Sequence, residues 1–408
     1  MTRIDHAAIR RDRIQTLLPR ILSEQKSDAW LTFTRENTQD PILKVFGLDH
    51  IVARGAFLFA QAGGGSGAGG FRKLAFAASY DTDPIKKTGI FDEVVPYQSE
   101  GIKPHLRKAL DALAPKSIAV NMSRDVTIAD GLTAGMRAYL EEFLGDHAKR
   151  FIPAERIIVS LLARKLPDEI AALETAVKAS QQILARALSS ETVRPGTTTE
   201  RALADAMAAH AKELGCGVAF ESVVVGPQRG HSEPTDRVIQ PGDIIRIDWG
   251  ATWEEYCADI QRMAYVTKAG ESGAPDWLHA LFNATLKANR AAVAAMKPGA
   301  RGVDVDTAAR QSLVADGFKE YPHGTGHPIG LKVHDVGPML CPDWRERYGD
   351  GVFFTLEPDQ VFAVEPLIYV KPDALDYELN TSLEEDVVIG PDGARYIGTP
   401  QTSLIVIR

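Results

Sequence analysis

The chain is poor in cysteine, with three residues among 408. Cys216, Cys257 and Cys341 are scattered singly, so there is no C-x-x-C pair. This spacing excludes a disulfide framework and a zinc finger of that type. Isolated cysteines are typical of a reduced cytoplasmic protein.

The chain also lacks a long apolar run and an excess of positive charge. No stretch approaches the roughly 18 apolar residues of a transmembrane helix, so no membrane partner is expected. The first 25 residues are charged throughout and predict an amphipathic helix rather than a signal peptide. The formal net charge of −8 argues against nucleic-acid binding as the main task.

Two motifs of nucleotide and metal sites are missing as well. The glycine-rich stretch at 61–70 is followed by strand-like sequence without G-K-[ST], so it predicts a flexible hairpin tip rather than a phosphate loop. The segment HGTGHPIGLKVHD at 323–335 has no H-E-x-x-H, and Pro328 forbids a helix there. A helical zinc-protease site is therefore excluded.

The length predicts two domains. The segment RFIPAERIIVSLLARKLPDE marks the boundary between them, which gives domains at 1–160 and 161–408. In the first, short buried strands alternate with helices, which predicts an α/β domain with helices packed on a sheet. The second begins with a long helix at 167–188, where Pro167 suits the first turn. The predicted strands of the first domain are 30–34, 55–60, 73–78 and 117–122, and its predicted helices are 101–114 and 131–145.

The second domain contains a faint internal repeat. Units that begin Arg-Pro-Gly at 194–196 and Lys-Pro-Gly at 297–299 each open into a helix that ends at a glycine. Each unit follows a long helix and precedes strand-like sequence. Two similar halves with a pseudo-twofold axis are predicted, and a chance match of two short Pro-Gly turns is the alternative.

Two aspartates stand in a predicted hairpin at 244–266. A turn centred on Trp253 and Glu254 would place Asp248 directly opposite Asp259, where like charges need a shared proton or a cation. Trp-Glu is a poor turn pair, so a longer loop fits equally well. Two solvated aspartates at the strand edges are the further alternative.

Two glutamates lie in other apolar, strand-like runs, Glu365 in VFAVEPLIYV and Glu384 in LEEDVVI. Each is either buried with a partner or solvated on an alternating face. Taken with Asp248 and Asp259 and one imidazole, they form an oxygen-rich donor set that favours Mn²⁺, Fe²⁺, Co²⁺ or Zn²⁺ over a soft metal. Two cations would balance the four negative charges.

Four histidines are candidates for the same site. His323, His327 and His334 lie within twelve residues among glycines, and His231 lies on a polar loop between strands. One or two imidazoles would bind metal and the others would donate hydrogen bonds to a substrate. A structural role for these histidines is the alternative.

These segments together resemble the pita-bread metallopeptidases, the group of prolidase, aminopeptidase P, methionine aminopeptidase and creatinase. The resemblance rests on the D-x10-D pair with Arg262 after it, on the histidine segment, and on AVEP and LEEDVVI. It implies an α+β pita-bread catalytic domain at 161–408. It also implies that 1–160 is an α/β domain like the one that precedes the catalytic domain in prolidase, aminopeptidase P and creatinase, and that the protein forms a homodimer.

By position, the resemblance implies a role for each metal-binding residue. Asp248 would bind one divalent ion, and His327 and Glu365 would bind a second. Asp259 and Glu384 would bridge the two ions, with Mn²⁺ favoured and Co²⁺, Zn²⁺ or Fe²⁺ as alternatives. Glu365 would also act as a proton shuttle.

The resemblance also implies roles toward the substrate. His231 and His334 would bind the scissile carbonyl or the developing oxyanion, and His323 would line the pocket on the proline side. Arg345 and Arg347 lie in a loop where an arginine would bind the terminal carboxylate of a dipeptide. Two solvated loop arginines are the alternative.

The chain departs from the family pattern near the site, at Glu255, Met263, Asp359, Leu367 and Ser382. The serine stands where an arginine is usual, which removes a charge near the metals. The sequence predicts a dinuclear-metal exopeptidase that cleaves Xaa-Pro bonds in small peptides, and a prolidase-like dipeptidase is favoured over an aminopeptidase P. The departures keep open a non-peptidase lyase or amidohydrolase that acts on a small metabolite. A metal-free binding protein is the third hypothesis.

Overall fold

The computed structural model describes residues 3–61, 70–227, 229–230 and 232–408. The chain divides into two compact units, Met1–Leu162 and Ala163–Arg408. Most of the predicted hairpin tip, at 62–69, lies outside the described residues. Within the described ranges, no helix has both the length and the apolar character needed to cross a membrane.

The first unit is built on a mixed six-stranded sheet with the order β4-β3-β2-β1-β5-β6. The long apolar strands β1, β2 and β3 are adjacent in this sheet and are buried on both faces, as their near-continuous apolar sequences require. The four predicted strands overlap β1, β2, β3 and β5, whereas β4 and β6 were missed. The strands are β1 (Ala29–Arg35), β2 (Arg54–Gln61), β3 (Phe71–Ala78), β4 (Glu93–Tyr97), β5 (Ile118–Val120) and β6 (Phe151–Pro153).

The helices of this unit begin with the predicted amphipathic segment. Asp5 accepts hydrogen bonds from the backbone N–H groups of Ala7 and Ala8 and so caps the first helix. A π-helical segment, Arg13–Leu17, joins this helix to the second. The helices are α1 (His6–Asp12), α2 (Leu18–Glu24), α3 (Thr82–Lys87), α4 (Lys103–Leu113), α5 (Ala134–Leu144) and α6 (Glu155–Ala163).

The second unit contains two packed helix pairs, the first of which opens with the predicted long helix. Pro167 stands at its first position, and the Glu169 carboxylate accepts a hydrogen bond of 2.8 Å from the Leu166 N–H. Helix α7 packs against α8, and α9 packs against α10. The helices are α7 (Pro167–Ala187), α8 (Glu200–Glu213), α9 (Asp276–Ala295), α10 (Gly302–Ala315) and α11 (Arg345–Tyr348).

Two main sheets follow these helix pairs. The first has the order β17-β10-β8-β7, with β9 paired to β8, and the second is the antiparallel sheet β11-β12-β15-β16. A helix pair followed by a sheet thus occurs twice, and the pseudo-twofold axis stays a prediction. The strands are β7 (Gly217–Val225), β8 (Ile244–Trp253), β9 (Tyr256–Cys257), β10 (Ile260–Val266), β11 (Gly326–Pro328), β12 (Val361–Val364), β13 (Tyr369–Val370), β14 (Leu379–Asn380), β15 (Glu385–Ile389), β16 (Ala394–Tyr396) and β17 (Ile405–Ile407).

The hairpin of β8 and β10 differs in register from the prediction. Glu254 and Glu255 form its turn, and both have positive φ, 46° and 70°. Asp248 therefore pairs with Gln261, so the prediction that it stands directly opposite Asp259 is wrong. Asp259, two residues before Gln261, is a diagonal neighbour on the same face. A two-residue turn with positive φ normally carries Asn or Gly, which is why the sequence did not reveal it.

A hydrophobic cluster in the second unit packs β12 against helices α9 and α10. Ala292 of α9 and Val305 of α10 pack in one buried cluster with Phe362 and Val364 of β12. The side-chain amide of Asn289 donates a hydrogen bond of 2.8 Å to the Val364 carbonyl. These contacts fix the end of β12, where the chain enters the candidate site.

Candidate active site

A cavity of about 1000 Å³ in the second unit is lined by residues of both sheets and of the histidine segment. Most of the predicted site residues line it. His231 lies outside the described residues, and the described Arg345 is not part of the lining. The predicted residues in the lining are Asp248, Asp259, His323, His327, His334, Arg347, Glu365 and Glu384.

Three buried side chains converge at one point of this cavity. Asp259, His327 and Glu384 each offer a ligand atom, and these atoms all lie within 4.8 Å of one another. His327 Nε2 lies 3.4 Å from Asp259 Oδ2 and 3.8 Å from Glu365 Oε1. Both carboxylate oxygens of Glu384 are buried without a hydrogen-bond partner among the described residues. Buried oxygens of this kind are satisfied by a proton or a cation.

The strand register explains this convergence. His327 on β11 pairs with Ala363 on β12. Glu365 directly follows β12, so His327 and Glu365 lie at the same end of the second sheet. Glu384 precedes the neighbouring strand β15, and its N–H donates a hydrogen bond of 3.3 Å to the Gln261 carbonyl of the first sheet. The ligand candidates thus come from the place where the two sheets meet.

The hydrogen bonds of His327 fix which ring nitrogen faces the carboxylates. Its Nδ1 lies 3.3 Å from the Pro328 carbonyl oxygen, which can only accept a hydrogen bond. The proton is therefore assigned to Nδ1, and the lone pair of Nε2 points toward Asp259 and Glu365. This is the arrangement of a metal-binding histidine.

The charges around Glu384 are strongly repulsive. Burial and then the negative charges of Asp259, Glu365 and Asp248 raise the pKa of the Glu384 carboxyl well above its usual value. Burial and the charge of Asp259 likewise raise the pKa of Asp386, whose Oδ2 accepts a hydrogen bond of 3.0 Å from the Asp259 N–H. Divalent cations would relieve this repulsion, so the residues fit the metal ions that the sequence predicted.

The donor set also indicates which kind of cation fits. Carboxylates and one imidazole suit hard and borderline divalent ions. Cys341 lines the cavity, but burial, followed by the charge of Asp306, raises the pKa of its thiol to about 12. In the metal-free protein the sulfur therefore stays protonated near neutral pH.

Arg262 joins the two sheets beside the ligand candidates. Its Nη1 donates hydrogen bonds to the Gln261 and Glu384 carbonyls at 2.9 and 3.0 Å, and its Nη2 lies 3.0 Å from Glu385 Oε2. The guanidinium thereby fixes the backbone of Glu384 by a hydrogen bond to its carbonyl.

The other two candidate histidines among the described residues, His323 and His334, lie in different surroundings. The ring centroid of His334 is 4.2 Å from that of His327. His323 lies beside two aromatic rings, with centroids 4.9 Å from Tyr321 and 6.1 Å from Tyr369. His334 is thus next to the ligand cluster, whereas His323 is next to an aromatic wall formed by Tyr321 and Tyr369.

A buried network that the sequence analysis missed supports the histidine segment. Arg310 of α10 forms an ion pair of 2.6 Å with Asp306 and donates hydrogen bonds to the carbonyls of Tyr321 and His323. Asp306 accepts a hydrogen bond of 2.8 Å from the Thr325 hydroxyl. The spacing of Asp306 and Arg310, four residues apart on a helix, was the available sequence signal.

The structure separates the two predicted substrate arginines. Arg347 lines the cavity, and its Nη1 donates a hydrogen bond of 2.9 Å to the Pro322 carbonyl. The side chain of Arg345 is 61% exposed and forms ion pairs with Asp343 and Asp350. A third arginine, Arg246, also lines the cavity and was not marked by the sequence.

The chain is similar to known peptidases along most of its length. It is 28% identical to uncharacterized peptidase YqhT of Bacillus subtilis over 283 residues, which cover 68% of this chain and 73% of that protein. It is 32% identical to probable dipeptidase PepE of Mycobacterium tuberculosis over 247 residues, 60% of each chain. The X-Pro aminopeptidase structure from Thermotoga maritima matches with a TM-score of 0.62 and 25% identity, covering 95% of this chain and 99% of the other.

The sequence profile of metallopeptidase family M24 matches residues 171–391. This match takes in more than half of the chain and contains every ligand candidate from Asp248 to Glu384. Membership implies divalent metal ions, and the buried cluster of Asp259, His327 and Glu384 is where this chain offers ligands for them. By both the length and the content of the match, the chain belongs to metallopeptidase family M24.

Proposed function

We propose that this chain is a dinuclear-metal-dependent exopeptidase that hydrolyses the bond before proline in small peptides. The observation that carries the proposal is the convergence of Asp259, His327 and Glu384 in a large cavity, with both Glu384 oxygens buried and lacking a hydrogen-bond partner among the described residues. The X-Pro aminopeptidase from Thermotoga maritima is similar over nearly the whole chain, which supports a proline-directed activity.

Five residues would hold two divalent ions, with Mn²⁺ favoured. Asp248 would bind one ion, His327 and Glu365 the other, and Asp259 and Glu384 both. The distances from His327 to Asp259 and Glu365 support the second set. When bound, such a pair of ions lowers the pKa of a coordinated water to about 7 and polarises the scissile carbonyl.

Glu365 is the residue best suited to move the proton. Its side chain is 21% exposed, and its Oε2 accepts a hydrogen bond of 3.2 Å from the Gln261 amide. A carboxylate that is oriented yet open to the cavity can accept a proton from the attacking water and deliver it to the leaving nitrogen.

The three histidines other than His327 would act on the substrate rather than on the metal. His334, beside His327, would donate a hydrogen bond to the scissile carbonyl oxygen as negative charge develops there. His231 would share this role. The aromatic wall of Tyr321 and Tyr369 beside His323 suits the apolar ring of proline.

A prolidase-like dipeptidase is favoured because an arginine at the cavity mouth would bind the terminal carboxylate of a dipeptide. Arg347 is exposed and lines the cavity, whereas Arg345 is tied to surface aspartates. The relative named probable dipeptidase PepE supports the same preference. An Xaa-Pro aminopeptidase is the second candidate, and the likeness to the Thermotoga maritima enzyme favours it.

Two broader expectations accompany this function. The repeated order of helix pair and sheet supports a pseudo-twofold relation between the halves, with the site at their junction. A homodimer is also expected, and light scattering on the purified protein tests it directly.

The deciding experiment compares Ala-Pro with Ala-Pro-Ala after chelation and after addition of Mn²⁺ or Co²⁺. We expect no hydrolysis by the chelated protein and cleavage of Ala-Pro once metal is added. Cleavage of the tripeptide alone would replace the dipeptidase with the aminopeptidase. Failure on both peptides despite full metal loading would reject Xaa-Pro specificity and favour a lyase or amidohydrolase.

A further inference from the structure

Lys165 is a buried cation that contacts the cavity wall, and it has no part in the roles assigned above. Its side chain is 3% exposed, and its Nζ lies 2.9 Å from Asp335 Oδ2. Asp335 lines the cavity and directly follows His334, the candidate donor to the scissile carbonyl. A buried ion pair is thus placed one residue from a side chain that would contact the substrate.

The backbone around Lys165 is fixed to the turn that leads into β12. The Lys165 N–H donates a hydrogen bond of 2.8 Å to the Asp359 carbonyl. The neighbouring Arg164 forms a buried ion pair of 2.6 Å with Glu357. Because both partners lie just before the first residue of β12, the ammonium group of Lys165 extends from a backbone that is already anchored to the second sheet.

Asp335 closes a loop that brings two histidines together. Its N–H donates a hydrogen bond of 2.9 Å to the Pro328 carbonyl, which joins the two ends of the loop 328–335. The same carbonyl oxygen lies 3.3 Å from Nδ1 of His327, the residue before the loop. His334 is the last residue before Asp335, and its ring centroid is 4.2 Å from that of His327. The position of Asp335 therefore determines how His334 lies against His327.

Gly330 is the point at which this loop packs against the ion pair. A Cβ atom at Gly330 would come 2.0 Å from Asp335 Oδ2 and 2.7 Å from Lys165 Nζ. The Gly330 carbonyl also accepts a hydrogen bond of 2.8 Å from the N–H of Cys257 on β9. The loop thus encloses the ammonium group tightly, and a side chain at this position would force the pair apart.

We propose that Lys165 is a positioning residue that, by holding Asp335, sets His334 beside the candidate metal ligand His327. The inference rests on the proposed function and deepens it. Removing one partner of a buried ion pair leaves the other charge uncompensated. Without the ammonium group, the Asp335 carboxylate turns toward the cavity and displaces His334. Lys165 therefore acts on turnover through His334 and contributes little to metal binding.

The first test compares Lys165→Met with Lys332→Met in the Mn²⁺-loaded protein. Lys332 is exposed on the same loop, so it is the matched control and should behave as the unmodified protein. A misplacement of about 1 Å can cost about 100-fold in rate. Lys165→Met should therefore lower kcat on Ala-Pro by about 10- to 100-fold and change KM by less than about threefold. Elemental analysis should find the metal content unchanged.

A double variant separates a positioning role from a general loss of stability. If Lys165 acts through His334, adding Lys165→Met to His334→Gln should lower kcat by less than about twofold further, because the two residues act as one unit. Full additivity of the two effects would overturn the proposal.

A second single variant keeps the test decisive if circular dichroism shows that Lys165→Met does not fold. Gly330→Ala forces the ion pair apart without removing a charge. It should lower kcat on Ala-Pro and leave the metal content unchanged, as Lys165→Met does. Unchanged kcat in either variant, once it is shown to be folded, would contradict the positioning role.

Hydrogen exchange distinguishes failure of the inference from failure of the proposed function, because it needs no activity. In the chelated protein, Lys165→Met should speed amide exchange in the peptide that covers 328–335 by about tenfold or more, with no change in the first unit. If the unmodified protein cleaves no Xaa-Pro peptide, the proposed function fails, and this exchange decides the inference: faster exchange supports it and equal exchange overturns it. If the protein cleaves Ala-Pro and Lys165→Met keeps the full kcat, the function stands and the role of Lys165 is wrong.

Discussion

Glu384 and Glu385 are adjacent buried acids whose replacement should change the stability of the metal-free protein in opposite directions. Glu385 is paired with Arg262 at 3.0 Å and accepts a hydrogen bond from the Gln401 N–H at 2.6 Å. Glu384 has repulsive charges around it, and its oxygens have no hydrogen-bond partner in the described part of the chain. Glu384→Gln should therefore stabilise the chelated protein, whereas Glu385→Gln should destabilise it.

The magnitude follows from the geometry. Ligand atoms of Glu384 and Asp259 lie within 4.8 Å, and two like charges at that distance repel by roughly 3 kcal/mol at an effective dielectric constant of about 20. Protonation of Glu384 limits this penalty, so we expect a gain of about 1–3 kcal/mol. Replacing Glu385 leaves the charge of Arg262 buried without its partner, which costs about 3–5 kcal/mol.

The gain from Glu384→Gln should depend on pH in a definite direction. The folded-state pKa of Glu384 is raised above its ordinary value of 4.5. The folded protein therefore binds the proton of Glu384 more tightly than the unfolded chain does. The stability that this proton contributes is fully present below pH 4.5 and is lost as pH rises toward the folded-state pKa. Glu384→Gln removes this loss, so its advantage over the unmodified protein should be larger at pH 8 than at pH 5.

Calorimetric melting of the chelated proteins at pH 5 and pH 8, repeated with Mn²⁺, is the assay. For a unit of this size, about 1 kcal/mol corresponds to about 2–4 °C in Tm. Metal at 100 times its Kd adds about 2.7 kcal/mol to the unmodified protein, and Glu384→Gln should lose most of that gain. If Glu384→Gln lowered the chelated Tm at pH 8 while retaining the full response to Mn²⁺, the assignment of Glu384 as a metal ligand would be refuted.

His327→Gln should reduce bound metal, whereas His334→Gln should keep the metal and lower kcat; elemental analysis beside kinetics decides, and equal metal loss would contradict the division of roles. Replacing Glu254 and Glu255 with Asn and Gly should stabilise the hairpin by about 1 kcal/mol, since both positions have positive φ; a urea midpoint that does not rise would count against this. Cys341, with a thiol pKa of about 12, should resist iodoacetamide at pH 8 in the folded protein, and mass spectrometry of the modified peptides checks this.

The strands that were predicted correctly are those whose sequences are continuous apolar runs. In β1 and β2, burial on both faces leaves no polar alternation, and such runs are visible in the sequence alone. β4 is half-exposed and contains a proline, and β6 is three residues long, so neither gives a periodic signal. Local sequence therefore predicted the centre of the first sheet better than its edges.

The contacts of two arginines in the site were missed for a different reason. Arg246 contacts Asn380, which is 134 residues away in the chain, and Arg262 contacts Glu385 across 123 residues. Nothing in the sequence around either arginine indicates its distant partner. The candidate metal ligands could be proposed from the sequence because they stand in apolar runs or among glycines, which is a local property, and because their order resembles that of a known family.

Glu384, Glu385 and Asp386 are three consecutive acids where the extended chain enters β15, and the alternation of their side chains could have been predicted without any resemblance. Successive residues of a strand point to opposite faces, so Glu384 and Asp386 share one face and Glu385 takes the other. The contacts agree, because Glu385 meets Arg262, whereas Glu384 and Asp386 both lie near Asp259. Asp386 accepts a hydrogen bond from the Asp259 backbone, but the oxygens of Glu384 have no such partner among the described residues. Alternation therefore leaves Glu384 and Asp386 as the two acids that could bind metal beside Asp259. Because Asp386 already accepts a hydrogen bond, Glu384 is the stronger candidate ligand.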